Sequence, residues 1–180
     1  MNELPSPQPL HLVVDVEESG ILIEARSTAG NITFGTNAIT GVVDVAEFDG
    51  SLLTAPPPRA EMVVDLRSLR SGNALYDAEL GRRLDVRRFP EAVISLVSSD
   101  SVGDRYRVTG EVALHGQTRV ISGSVTARRV SDGWILSGQQ LFDIRDFEIS
   151  VPSVLMLRIF PDVMIFLTVK LAQASTPSPR

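Results

Sequence analysis

From Tyr106 to Leu114 the chain alternates without a slip. Tyr106, Val108, Gly110, Val112 and Leu114 fall on one face, and Arg107, Thr109, Glu111 and Ala113 on the other. A period of two is the signature of a strand with one wet and one covered face. His115-Gly116-Gln117 is a tight turn, and Thr118 to Arg129 reads as the return strand. Similar segments recur along the chain: Leu10–Val16, Ile21–Ala25, Ile32–Phe34, Thr40–Phe48, Ala60–Leu66, Ala92–Val97, Trp134–Ile144, Val154–Phe160 and Val163–Leu171. Turn residues separate them. Glu17 to Gly20 predicts a hairpin turn, Pro56-Pro57-Pro58 a loop, and Pro161-Asp162 a break between the last two strands. Roughly ten strands at hairpin spacing, with no repeat of propeller length, predict an antiparallel barrel of about eight or more strands.

One stretch departs from this pattern. Tyr76, Leu80 and Leu84 recur at i, i+4 and i+8 and form an apolar stripe, which predicts one short helix near residues 74–84. Asn73 is placed to cap its start. Glu79 stands three and four residues before Arg82 and Arg83. Phe89-Pro90 forces the chain back toward extended structure. The stripe is narrow, and suits a lid over one face or mouth of a barrel. Residues 1–9 read as a flexible arm, 10–172 as one barrel domain, and 173–180 as a disordered tail.

Composition excludes several function classes. The chain has 180 residues, a net charge of −5 and no cysteine. A net acidic chain lacks the basic surface that nucleic acid requires, and without cysteine there are no disulfides or thiolate metal sites. No apolar run is long enough to span a membrane as a helix, and the N-terminus has no leader-like pattern; both predict a cytoplasmic protein. Nucleophile-elbow, dinucleotide, phosphate-loop and metalloprotease motifs are absent, so neither an enzyme, a cofactor nor a metal is expected. His115 reads as a turn residue. The cluster Arg82, Arg83, Arg87 and Arg88 reads either as a phosphate clamp at a barrel mouth or as a solvated helix face. Arg145-Asp146-Phe147, with Asp143 nearby, reads either as a polar anchor in an apolar cavity or as a structural ion pair. Asp77 is either a headgroup contact or helix-surface charge. The segment Val154–Leu167 is apolar on both faces, which predicts a covered outer wall or a dimer contact.

Four segments in order carry a family resemblance: Val64-Asp65-Leu66-Arg67-Ser68-Leu69 with Ser71-Gly72-Asn73, then Asp77 and Leu80; Phe89-Pro90 before Val93-Ile94-Ser95; Tyr106 to Thr118; and Arg145-Asp146-Phe147. Together they resemble the YceI-like family of lipocalin-like, polyisoprenoid-binding domains over about residues 10–172. Tyr76 and Glu79 depart from the family pattern beside the helix, as does Glu148 after Asp146-Phe147. The resemblance implies an extended antiparallel barrel, a long apolar tunnel, a tendency to form a homodimer, and no catalysis. The function expected is carriage or sequestration of a long apolar molecule of isoprenoid, quinone or fatty-acyl type. The ligand-binding residues expected are Val14, Leu66, Tyr76, Asp77, Leu80, Leu84, Phe89, Val108, Val112, Arg145, Phe147 and Ile165. Two rivals remain: a solid barrel acting as a dimeric interaction module, and a small-substrate enzyme using Asp77, Arg145 and Asp146.

Overall fold

The computed structural model describes residues 6–151, 153–154 and 157–174. Eleven strand segments and one α-helix follow in order: β1 (Gln8–Ser27), β2 (Gly30–Thr36), β3 (Ile39–Phe48), β4 (Ser51–Leu52), β5 (Arg59–Asp65), α1 (Ala74–Arg83), β6 (Glu91–Val102), β7 (Arg105–Leu114), β8 (Gln117–Val130), β9 (Gly133–Asp143), β10 (Ser153–Val154) and β11 (Leu157–Gln173). Eight of them close on themselves in the order β1-β3-β5-β6-β7-β8-β9-β11, because β11 also pairs with β1. All pairings are antiparallel. The short β2, β4 and β10 add to β1, β3 and β11. Closure removes most of the open sheet edges that would otherwise invite pairing with other chains.

Two expected breaks are not breaks. The Glu17–Gly20 turn lies inside the single long β1, where pairing with β11 slips between Asp15 and Gly20. This irregularity absorbs the polar residues without reversing the chain: Ser19 is buried, and its hydroxyl accepts a hydrogen bond from the Lys170 backbone N–H at 3.0 Å. Pro161-Asp162 likewise lies within the continuous β11, at a second register slip opposite Ala25 and Ser27. A bulge tolerates proline because no ladder donor is needed there. Strand β1 also begins earlier than expected, since Gln8 and Pro9 of the expected arm pair with Glu47 and Ala46. Residues 1–5 of that arm, the tail from 175 and Leu155 in the doubly apolar segment lie outside the described residues.

The helix forms where its pattern places it. Asn73 Oδ1 accepts from the Leu75 and Tyr76 N–H groups at 3.0 and 3.4 Å, and Arg82 and Arg83 occupy the last turn. Cations there suit the helix dipole. The segment after β9 forms a short 3-10 turn at Ile144–Phe147, ending at Glu148 in a left-handed conformation with φ 56°.

Candidate ligand cavity

The barrel is hollow. Its inner faces enclose a cavity of about 410 Å³ with almost wholly apolar walls. Alternation supplies the wall: Tyr106, Val108, Val112 and Leu114 from β7 face inward, as do Val163, Ile165, Leu167 and Val169 from β11. An eight-stranded barrel is just wide enough for side chains to fill it. Here several inward positions hold Gly110, Gly123, Gly138, Ala60 and Ala127, so large filling side chains are missing there.

The two ends differ. At one, Leu12, Val169 and Leu171 are fully buried and Trp134 nearly so, with the Glu47–Arg129 ion pair beside them. That end is packed shut. At the other, α1 lies across the mouth with Tyr76, Glu79, Leu80 and Arg83 lining the cavity. Leu84, Phe147 and Ile149 are buried around them. Glu79 pairs with both Arg82 and Arg83 at 2.7 Å, and the Arg83 guanidinium donates to the Ser150 hydroxyl at 2.7 Å. Hydrogen bonds from Arg82 and then Arg83 hold the Glu79 carboxyl below its ordinary range. Glu79 and Arg83 are the charged lining residues, and each neutralises the other.

This architecture matches known proteins. The YceI-like domain matches residues 13–172, nearly the whole chain. The chain belongs to the YceI-like domain family. Among solved structures, BcnA of Burkholderia cenocepacia superposes with a TM-score of 0.74 at 16% identity, covering 89% of this chain and 99% of that one. A polyisoprenoid binding domain from Saccharophagus degradans gives 0.70 at 14% identity, covering 93% and 100%. The Campylobacter jejuni YCEI protein gives 0.62 at 14% identity, covering 82% and 87%. At such identities the likeness establishes the fold. No curated protein sequence matches the chain.

Within this YceI-like barrel, eight of the twelve expected binding residues line the cavity: Leu66, Tyr76, Leu80, Leu84, Val108, Val112, Phe147 and Ile165. Four do not. Val14 is buried and pairs with Leu171 in the packed end, beyond the cavity floor. Asp77 accepts from the backbone N–H and the hydroxyl of Ser71, each at 2.7 Å. It ties the helix to the segment before it, and those bonds lower its pKa. Phe89 packs edge-on against His115, with ring centroids 5.4 Å apart. Arg145 is exposed and grips Asp143 through two nitrogens, holding that carboxyl low.

None of Asp77, Arg145 and Asp146 lines the cavity. Of the four clustered arginines only Arg83 lines the cavity, while Arg88 lies over the Phe89 ring. Among the described residues no group of three His, Asp or Glu is arranged to hold a metal. No helix there is long and apolar enough to cross a membrane. Sequence reasoning missed Ser99 and Gln140 as lining residues, whereas Arg83 stood in the expected mouth cluster and Glu79 among the departures beside the helix. The signal for Arg83 was present, seven residues after Tyr76 on the same helix face.

Proposed function

We propose that this YceI-like barrel carries or sequesters a long apolar molecule of isoprenoid, quinone or fatty-acyl type, without catalysis. The observation that carries this reading is the cavity: about 410 Å³, apolar, shut at one end and covered by a helix at the other. An unfilled interior of this kind costs stability, because its lining loses packing partners. A guest restores them, driven by roughly 25 cal/mol for each Å² of apolar surface removed from water. The S. degradans relative described as a polyisoprenoid binding domain supports the same ligand class. Denaturing extraction of the purified protein followed by lipid mass spectrometry tests it. A bound prenyl, quinone or acyl lipid is expected. An empty extract, together with no uptake of a neutral apolar dye, would refute the reading.

A second reading rests on the outer wall. Leu22 is 51% exposed and pairs with the exposed Phe166, while Leu141 is 55% exposed and pairs with Met164. This apolar patch spans β1, β11 and β9 and supports a homodimer through that face. Light scattering tests it. A wild-type dimer should become a monomer on Phe166→Arg, and a wild-type monomer would end the idea.

A further inference from the structure

The wall of the cavity is interrupted on one side. Strands β8 and β9 pair from Val125–Gly138 to Val130–Gly133 and no further. Beyond that rung, Gln117–Ser124 and Gln139–Asp143 run on without a ladder between them. Two polar side chains sit on the inner wall, Gln140 at this seam and Ser99 two strands away on β6. Gln140 lies over Gly123: a Cβ there would stand 3.0 Å from Gln140 Oε1, a tight contact that glycine avoids. The Gln140 Nε2 donates weakly to the Leu141 carbonyl in an exposed hydrogen bond of 3.3 Å. Ser99 lines the cavity from β6, and its hydroxyl is the one buried side-chain polar atom among the described residues without a partner.

These groups lie along one line of paired residues that crosses β6, β7 and β8. Ser99 pairs with Val108, Val108 pairs with Gly123, and Gln140 covers Gly123. A buried hydroxyl without a partner is destabilising, and a rotation about χ1 turns it to a partner brought into the cavity. Both charged lining groups belong to α1, and they are paired. Away from α1 the wall therefore offers hydrogen bonds without charge.

We propose that the Ser99 hydroxyl and the Gln140 amide make this wall a neutral polar subsite, each a point that holds an oxygen function, a hydroxyl or a carbonyl, of an otherwise apolar chain. The inference rests on the carrier reading and specifies its ligand: an apolar alcohol or ketone is selected over the matching hydrocarbon.

The test uses delipidated full-length protein loaded with the neutral dye N-phenyl-1-naphthylamine, displaced by farnesol or by the hydrocarbon farnesene. Ser99→Ala and Gln140→Met should each lower the farnesol-to-farnesene affinity ratio by about three- to tenfold, as expected for one lost hydrogen bond. Farnesene affinity itself should stay within about twofold, a pattern that general unfolding would not produce. Ser99→Ala removes only an unpartnered hydroxyl, so it serves as the test if Gln140→Met folds poorly. If wild type binds both compounds and the variants leave the ratio unchanged, the subsite is overturned and the carrier reading stands. If neither the dye nor either compound binds, the carrier reading fails and the subsite with it.

Discussion

Replacing Ala127 with leucine asks directly whether the barrel interior is empty. Ala127 lies on β8, pairs with Leu136 and lines the cavity. Leucine adds three carbons at that point. At about 0.8 kcal/mol per buried methylene, the gross gain is about 2.4 kcal/mol. Ordering the leucine rotamer offsets about 0.5–1 kcal/mol of this, leaving about 1.5 kcal/mol of added stability. For a chain of this size, that raises the melting temperature by about 3–6 °C. The same carbons take up space that a guest needs, so dye affinity should fall at least about tenfold. Calorimetric melts of delipidated protein with a parallel dye titration check both effects. Delipidation matters because a retained guest would itself stabilise the wild type. In a filled interior the leucine would overpack and destabilise by about 1–3 kcal/mol. A melting temperature that falls, with dye affinity unchanged, would refute the argument that missing side chains leave the barrel hollow.

Other expectations follow from single sites. Ser99→Ala in the empty protein should raise stability by about 1 kcal/mol in urea titrations, since it deletes a buried hydroxyl that has no partner. Glu148→Gly should raise the urea midpoint by about 0.5–1 kcal/mol of stability, because φ at Glu148 is 56°, where only glycine sits without strain. Glu79 has its folded pKa lowered by Arg82 and Arg83. Its stabilising contribution is therefore present in full above the ordinary value of 4.5 and is lost as pH falls through the lowered folded value. Wild type should melt above Glu79→Gln near neutral pH, and melts in acid should show the gap closing below pH 4.5.

Much of the architecture was legible in local pattern. The alternation at Tyr106–Leu114 predicted β7 and the face that lines the cavity, because side chains of a strand alternate by geometry alone. Asn73 and the Tyr76-Leu80-Leu84 stripe predicted α1 and its inward side for the same kind of reason. Glu17–Gly20 and Pro161-Asp162 misled. Turn-forming residues and a bulge within a long strand share one composition, and pairing with β11 decides between them. Asp77 and Arg145 misled in another way. Each was a polar residue in a recognisable segment, but each satisfies itself locally, on Ser71 and on Asp143.

By itself, then, the sequence determined the strands, their inward faces, the single helix and the family. It also contained every glycine that leaves the barrel hollow. Only the tertiary structure decided that Gly110, Gly123 and Gly138, on three different strands, all face the one interior. It alone put Val14 in the packed end, Phe89 against His115, and Ser99 and Gln140 on the wall of one cavity. The physical reason is register. Which way a side chain points follows from its own strand, but which side chains share a height depends on how separate strands are paired.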